Sequence, residues 1–156
     1  MDASSLTVRP AEAEDLPAVI ALHAADALGG HGDVWSAETR ADYQAAFARL
    51  RASHGHTLYV AEDAGRVVGT FILSILPGLT ERGMTLAELR SVQVAAAERS
   101  RGLGSRMVEL AEDLAREAGA GRMELTSNLK RIDAHRFHER NGYVRTHAGF
   151  KKKLSP

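Results

Sequence analysis

The chain lacks cysteine altogether, and this absence excludes disulfide bonds, thiolate metal sites and a cysteine nucleophile. It also lacks net charge, because 20 basic side chains balance 20 acidic ones, so the basic surface typical of nucleic-acid binding is not indicated. No apolar run reaches the roughly 20 residues that a membrane-spanning helix needs. The first residues, MDASSLTVRPAEAED, contain no apolar stretch of the kind found in a signal peptide. We therefore expect a cytoplasmic protein that binds neither nucleic acid nor a membrane.

The spacing of apolar residues predicts a mixed α/β fold. Strands are predicted over 6–9, 57–61, 66–76, 86–95, 122–126 and 143–147, with a last short strand around Phe150. Helices are predicted over 14–27, 37–52, 103–118 and 133–140, and a glycine-rich break over 29–33 separates the first two. Three successive strands between the second and third helices disfavour a plain alternating, doubly wound sheet. The length of 156 residues fits a single domain spanning 1–156.

The segment that joins the strand over 86–95 to the helix over 103–118 is rich in arginine and glycine. It reads Arg99-Ser100-Arg101-Gly102-Leu103-Gly104-Ser105-Arg106. Glycine lets the backbone approach a ligand closely, and the first N–H groups of a helix favour an anion. Arginine adds guanidinium groups whose geometry matches phosphate. The segment therefore predicts a phosphate-binding loop, and the alternative is a basic turn that only caps the helix.

Two motifs resemble the GNAT superfamily of N-acetyltransferases. The acyl-CoA loop of that family follows the pattern [QR]-x-x-G-x-[GA], which the first six residues of the arginine-glycine segment match. In the family this loop follows a strand with alternating valines, and Val92 and Val94 stand in the corresponding strand here. The second motif is a helix that begins with alanine and ends in an aromatic pair and Gly-aromatic, which the stretch from Ala134 to Tyr143 resembles. The resemblance covers 57–147 well, whereas the N-terminal third agrees only in the order of its elements.

The resemblance implies both a fold and a coenzyme. The implied fold is a central mixed, mostly antiparallel twisted sheet with a splayed parallel strand pair, flanked by helices. The implied cosubstrate is acetyl-CoA, with its pyrophosphate on the glycines of the loop and its pantetheine arm along the strand. The N–H of Val94 would polarise the thioester carbonyl as an oxyanion-hole donor. The implied coenzyme-binding residues are Val92, Val94, Arg99, Ser100, Arg101, Gly102, Leu103, Gly104, Ser105, Arg106, Asn128, Arg131, Phe137 and His138.

Direct attack of an amine on a thioester requires a base, and an acid assists departure of the thiolate. Histone-type members of the family carry a glutamate at the place of Glu88, which makes it the candidate base. Glu88 and Arg90 share one face of an ideal strand, so a plain surface ion pair is the alternative. The usual tyrosine acid is replaced by His138, whose imidazolium can donate a proton or whose ring only lines the coenzyme channel. The asparagine that the family often places before the helix is replaced by Arg131, and Asn128 is a second candidate for that contact.

The segment between the first two helices shapes the acceptor pocket in this family. His31, Asp33 and Trp35 are therefore candidates for recognising an amine, and the alternative is a mobile loop anchored by one tryptophan. The seven histidines show no convincing metal-ligand spacing, so we expect no metal.

The sequence thus predicts an acetyl-CoA-dependent N-acetyltransferase that acts on a primary amine of a small molecule. The amine would attack directly in a ternary complex, with no covalent enzyme intermediate. Two alternatives remain: a protein N-acetyltransferase, and a non-catalytic acyl-CoA-binding module that keeps the loop but has lost the acid. Because family members are often dimers, a homodimer is a further expectation.

Overall fold

The computed structural model describes residues 5–28 and 30–155. Five strands form one sheet in the order β1-β2-β3-β4-β5, so neighbours in the sheet are also neighbours along the chain. They are β1 (Thr7–Pro10), β2 (His56–Asp63), β3 (Arg66–Leu76), β4 (Leu86–Val94) and β5 (Arg122–Leu125). Each adjacent pair among the first four strands is antiparallel, and β5 runs parallel to β4. The mixed, mostly antiparallel sheet predicted from the sequence is therefore confirmed.

Helices occupy the longer connections. They are α1 (Leu16–Ala24), α2 (Arg40–Ala52), the single turn α3 (Thr80–Gly83), α4 (Leu103–Glu117) and α5 (Ile132–Arg140). A 3-10 helix over Ala13–Asp15 leads into α1, and another over Ala96–Glu98 follows β4. The crossover between the parallel strands β4 and β5 contains α4, because parallel strands cannot be joined by a tight hairpin.

The connection between β2 and β3 is a two-residue hairpin turn. Asp63 pairs with Arg66, which leaves Ala64 and Gly65 at the tip. Both have left-handed backbone conformations, with φ of 50° and 74°. Two consecutive residues of positive φ give the primed turn that matches the twist of antiparallel strands. The strands predicted over 57–61 and 66–76 are confirmed, and β2 continues two residues further than the prediction.

Apolar side chains cover both faces of the sheet. Helices α1 and α2 pack on one face through a buried cluster formed by Ala11, Leu16, Val19, Phe47 and Val60. Ala61 follows Val60 on β2 and faces the other way, toward α4. On that side a Cβ at Gly69 would lie 2.7 Å from Sδ of Met107. Glycine at this position therefore allows α4 to lie close against β3.

A guanidinium on β1 ties the first strand to its neighbours. Arg9 donates through Nη1 to Oδ2 of Asp15 at 2.7 Å and through Nη2 to Oδ1 at 2.9 Å. The same Nη2 donates to Oε1 of Glu62 on β2 at 2.6 Å. Hydrogen bonding from Arg9 lowers the pKa of Asp15 below its usual value, although partial burial opposes the shift. The carboxylate of Asp15 also accepts from the N–H of Glu12 at 2.7 Å, which fixes the entry to α1.

The two helices of the N-terminal part begin later than their apolar patterns predict. Residues 13–15 form a 3-10 turn rather than the first turn of α1. The second helix begins at Arg40, because Ser36 and Thr39 form a reciprocal turn before it. Thr39 Oγ1 accepts from the N–H of Ser36 at 3.0 Å, and Ser36 Oγ accepts from the N–H of Thr39 at 3.3 Å. Of the predicted break over 29–33, Gly29 lies outside the described residues, and residues 30–33 belong to no helix or strand.

The strands predicted over 143–147 and around Phe150 are wrong: residues 126–155 contain α5 and no strand. Val144 and Phe150 are 80% and 94% exposed, so neither the ladder hydrogen bonds nor the apolar burial that stabilise a strand are present. The chain divides into two compact units, residues 1–125 and 126–156. The first contains the sheet and α1 to α4, and the second contains α5. That 1–156 form a single domain stays a prediction.

Candidate active site

The arginine-glycine loop leads directly into α4 with an unusual backbone. Ser100 and Gly102 both have left-handed conformations, with φ of 72° and 77°. Gly102 is the residue immediately before the helix, and the first helical hydrogen bond runs from the N–H of Arg106 to its carbonyl oxygen at 3.1 Å. The N–H groups of residues 103–105 therefore precede the helical ladder and point away from it. A Cβ built on Gly102 would meet nothing within 4 Å, so the space above this backbone is open.

Two of the three arginines of the loop make contacts that hold the loop in place. Arg101 forms an ion pair with Glu98, a carboxylate that is only 6% exposed and that also lies 3.5 Å from Arg66 of β3. Arg99 donates through Nε to the carbonyl oxygen of Val94 at 3.2 Å. These contacts anchor the loop to the end of β4 and the start of β3. Sequence reasoning missed Glu98, because nothing in its spacing indicates that a surface-type residue would be buried.

The backbone of β4 becomes an open edge along its second half. Its parallel pairing with β5 covers four residues and stops at Leu89 opposite Leu125, whereas its pairing with β3 continues to Val94. A β-bulge lies in this region, where Ser91 has φ of 53° and the register against β3 shifts. The splayed parallel pair that the family resemblance implies is therefore present.

The amide of Val94 is directed toward that open edge. The N–H of the next residue, Ala95, donates to the carbonyl of Val68 on β3 at 2.8 Å. Hydrogen-bonded and non-hydrogen-bonded pairs alternate along antiparallel strands. Because Ala95 and Val68 form a hydrogen-bonded pair, the preceding pair of Val94 with Gly69 is a non-hydrogen-bonded pair. The N–H of Val94 consequently points away from β3, which is the orientation that an oxyanion-hole donor on this strand requires.

The candidate base Glu88 lies on β4 in an ion pair with Arg90. The distance between Glu88 Oε1 and Arg90 Nε is 3.0 Å, and the two side chains are 40% and 46% exposed. The surface ion pair that the sequence left as an alternative is thus present. The pair is accessible to a ligand on the face of the sheet that carries α1 and α2, so it does not exclude the base role.

The candidate residues of the second unit cluster around α5. Asn128 does not present its amide oxygen freely, because it accepts from the N–H of Lys130 at 2.9 Å. The carbonyl oxygen of Asn128 accepts from the N–H of Arg131 at 3.0 Å and bonds to Nε2 of His135 at 2.8 Å. These bonds shape the turn in which Asn128 and Arg131 precede the helix. Phe137 and His138 are adjacent on α5, with ring centroids 5.3 Å apart.

His138 is half-buried between aromatic rings. The ring of Tyr143 lies edge-on at 5.9 Å, and Nδ1 of His138 is buried without a hydrogen-bond partner among the described residues. Burial lowers the pKa of His138 below 6.5, and the charges of Arg131 and His135 act in the same direction. The imidazolium is therefore scarcer at neutral pH than the sequence alone indicates.

The segment between α1 and α2 is anchored to α2. The hydroxyl of Tyr43 donates to Oδ1 of Asp33 at 2.8 Å and accepts from the N–H of Val34 at 3.2 Å. The indole of Trp35 stacks on Tyr43 with centroids 6.2 Å apart. Two of the predicted acceptor-loop residues are thus fixed by contacts to one helix, whereas His31 is exposed. Within residues 5–28 and 30–155, no group of three or more histidine, aspartate or glutamate side chains is arranged to hold a metal ion.

The model of the acetyltransferase (GNAT) family matches residues 17–143, and the chain belongs to this family. Among proteins of known activity, an aminoalkylphosphonate N-acetyltransferase from Salmonella typhimurium is 39% identical over 90 residues. That match spans 58% of this chain and 58% of the length of that relative. No helix in the described part of the chain combines the length and apolarity needed to cross a membrane.

Solved structures share the complete fold. A protein described as a transcriptional regulator from Bacillus halodurans superposes with a TM-score of 0.89 at 30% identity, over 96% of this chain and 99% of that one. A putative acetyltransferase from Agrobacterium tumefaciens gives a TM-score of 0.81 at 28% identity, over 95% and 99% of the two chains. A glucosamine-6-phosphate N-acetyltransferase from Arabidopsis thaliana has the same fold, with a TM-score of 0.76 at 19% identity over 96% and 99%.

Proposed function

We propose that this protein transfers an acetyl group from acetyl-CoA to the primary amine of a small molecule. The observation that carries the proposal is the continuity between two features of the first unit. The open edge of β4 is followed within a few residues by a loop whose backbone is shaped for an anion. A coenzyme with a pyrophosphate joined to a long amide-containing arm fits this combination of a phosphate cradle and an unpaired strand edge.

The residues of the loop fit a pyrophosphate group. Left-handed Gly102 keeps open space above the backbone, and the N–H groups of Leu103, Gly104 and Ser105 face an incoming anion at the positive end of α4. Arg99 supplies positive charge near these groups, and Arg106 does so while its Nη1 pairs with Oε2 of Glu109 at 3.1 Å. Arg101 contributes less net charge, because Glu98 balances it.

The strand residues act on the reacting groups. Bound acetyl-CoA supplies the activated acetyl thioester. The N–H of Val94, directed away from β3, polarises the carbonyl oxygen as negative charge develops on it. Glu88 accepts a proton from the acceptor ammonium, because only the neutral amine is nucleophilic.

His138 is the proposed proton donor to the departing thiolate. Its lowered pKa restricts that role to the acidic side of neutrality. Since a thiol has a pKa near ~8.5, thiolate can also leave without full protonation. The lowered pKa of His138 favours a second candidate function, a non-catalytic acyl-CoA-binding module. In this module the usual tyrosine acid is replaced by an imidazole that is mostly neutral at pH 7.

The name of the Salmonella relative supports a small-molecule acceptor, although the similarity spans only 58% of each of the two chains. Acetylation of protein amines is the alternative within the same fold. We therefore propose a small amine as acceptor and treat peptides as the comparison class in the test.

Two measurements on the same preparation test the proposal. Acetyl-CoA should raise the melting temperature, because a ligand that binds only the folded state stabilises it. Release of coenzyme A thiol should then depend on an added amine. Gly104→Val should abolish the thermal shift while the protein still folds, because a β-branched side chain would project toward the anion. Thermal stabilisation without thiol release over a broad panel of amines and peptides would favour the non-catalytic module.

A further inference from the structure

A row of polar side chains crosses three strands on the face that carries α1 and α2. His56 on β2 is paired with Ser74 on β3, and Ser74 is paired with Glu88 on β4. Directly opposed residues project to the same side of a sheet. His56 shares its side of β2 with Leu58 and Val60, because side chains alternate along a strand, and Val60 packs under α1 and α2.

This row fixes the direction of the Arg90 side chain. Arg90 donates through Nη2 to Oγ of Ser74 at 3.3 Å, and Ser74 in turn bonds to Nδ1 of His56 at 2.8 Å. Ser74 is only 1% exposed, so Arg90 contacts a buried hydroxyl. Arg90 uses Nε for Glu88 and one Nη group for Ser74, out of the five N–H groups of a guanidinium. An exposed cation is therefore held in one orientation by a buried polar chain.

The ion pair of Glu88 with Arg90 contains one charge of each sign and faces solvent. Exposed ion pairs contribute little to stability. A ligand that offers a cation to Glu88 and an anion to Arg90 can therefore separate the two side chains at little cost. The two residues are two positions apart on one strand, which separates their Cα atoms by about 6.6–6.8 Å. A ligand that bridges them carries its two charges a few bonds apart.

The adjacent strand β5 carries an ion-paired arginine whose surroundings are more acidic than those of Arg90. Arg122 on β5 bonds to Glu124 at 3.0 Å and to Glu81 at 2.7 Å, so one cation is balanced by two carboxylates. Glu124 stands directly opposite Glu88 in the parallel register. The charge near Glu88 is therefore negative on the side of β5 and positive on the side of Arg90. A cationic group is favoured at Glu88, and an anionic group is favoured at Arg90.

We infer that the acceptor is a short zwitterion, whose ammonium group binds Glu88 and whose anionic group binds Arg90. The anion is a phosphonate or a carboxylate two or three bonds from the amine. Arg90 thereby determines specificity, and Ser74 and His56 position it. The inference rests on the proposed function, in which Glu88 receives the proton of that same ammonium group.

The test compares acceptors that share a primary amine and differ in the second group. The probes are 2-aminoethylphosphonate, β-alanine and uncharged 3-amino-1-propanol. Wild type should favour at least one anionic probe over the alcohol in kcat/KM. Arg90→Gln should lower kcat/KM for that probe by roughly tenfold to a hundredfold, the value of a hydrogen bond to a charged group, and change the alcohol by less than about twofold. Arg90→Lys should retain part of the preference, because it keeps the charge without the planar fork.

Arg122→Gln is the matched control. It removes an arginine of similar exposure, 44% against 46%, from the adjacent strand and produces the same change in net charge. Its ratio of kcat/KM between the zwitterion and the alcohol should equal that of wild type. Comparing ratios also removes any change in basicity of Glu88 that follows loss of Arg90, because such a change affects all amines alike.

Calorimetric titration of the anionic probes into the protein separates this inference from the proposed function. Binding that Arg90→Gln weakens at least tenfold, with no acetylation of any amine, supports the zwitterion site and contradicts the proposed enzyme. Acetylation of all three probes with equal kcat/KM, unaffected by Arg90→Gln, supports the enzyme and overturns the zwitterion site. An equal loss of kcat/KM for the zwitterionic probe in Arg90→Gln and Arg122→Gln would also overturn the zwitterion site, because the overall charge of the surface and not a contact with Arg90 would then explain the preference.

Discussion

Comparing Gly102→Ala with Gly119→Ala separates two effects. One is the stability lost to a strained backbone, and the other is the acetyl-CoA affinity lost with an anion site. Gly102 has φ of 77° at the N-terminal end of α4, and Gly119 has φ of 83° just beyond its C-terminal end. A Cβ at either position would meet nothing within 4 Å. The two glycines are thus equivalent in conformation and in space, but only Gly102 belongs to the proposed coenzyme loop.

The expected loss of stability is the same for both substitutions. A left-handed conformation costs a residue other than glycine about 1–2 kcal/mol, and neither site adds a steric clash. For a protein of this length each kcal/mol corresponds to roughly 2–4 °C in melting temperature. Gly102→Ala and Gly119→Ala should therefore both melt about 2–8 °C below wild type without ligand.

Their responses to acetyl-CoA should differ. At a ligand concentration about 100 times Kd, wild type gains roughly 2.7 kcal/mol. If the methyl group of Gly102→Ala removes one hydrogen bond to phosphate, affinity falls at least about tenfold, and the gain at the same concentration falls to about 1.4 kcal/mol. Gly119→Ala should keep the full gain.

Differential scanning fluorimetry with an acetyl-CoA titration, followed by calorimetry for Kd, measures both quantities. Equal Kd values for Gly102→Ala, Gly119→Ala and wild type would refute the loop assignment and leave Gly102 as a helix cap. Equal weakening in both variants would show that strain in α4, not contact with the loop, governs binding.

Three further predictions concern single side chains. Glu88→Gln should lower kcat/KM at pH 7 by a factor on the order of 10²–10⁴ and by less at pH 9, where more amine is already neutral; an unchanged pH profile would leave Glu88 as a structural partner of Arg90. Because burial lowers the pKa of His138 below 6.5, His138→Phe should reduce kcat more at pH 6 than at pH 8, and His138→Tyr should restore activity at the higher pH; identical profiles for wild type and His138→Phe would remove the acid role. Asp15→Asn should destabilise the fold by about 1–3 kcal/mol at pH 7, since breaking a hydrogen-bonded charge pair leaves a polar partner unsatisfied. The folded-state pKa of Asp15 is depressed, so its contribution is present above the unfolded pKa near ~3.9 and is lost as the pH falls through the folded pKa; urea unfolding of both proteins at pH 7 and pH 3 should show the difference shrinking in acid.

Features set by local sequence were predictable. The strand predicted over 66–76 occupies Arg66–Leu76, and the helix predicted over 103–118 occupies Leu103–Glu117. Both are bounded by residues with strong conformational preferences, such as Gly65 before β3 and Gly119 after α4, each with positive φ. The loop motif and the order of its flanking elements identified the family correctly for the same reason.

Features set by register and long-range contacts were not predictable. Apolar alternation over 143–147 is typical of a strand, but alternation does not specify a partner, and none is formed in residues 126–155. Burial of Glu98 under two arginines depends on how β3 meets the loop. The contact of Arg90 with Ser74 depends on which residues of β3 and β4 stand opposite one another, a pairing that the sequence of either strand leaves open. The roles of the coenzyme-binding and catalytic residues stay predictions.

Mass spectrometry can detect acetyl transfer from acetyl-CoA to an amine. The purified protein and acetyl-CoA are mixed in separate reactions with 2-aminoethylphosphonate, β-alanine and 3-amino-1-propanol. We expect an N-acetylated product and coenzyme A in equal amounts, formed at a rate that is proportional to enzyme concentration and strongly reduced in Glu88→Gln. Binding of acetyl-CoA with no acetylated product from any of these amines, or from a broader panel of amines and peptides, would show that the protein is not an acetyltransferase.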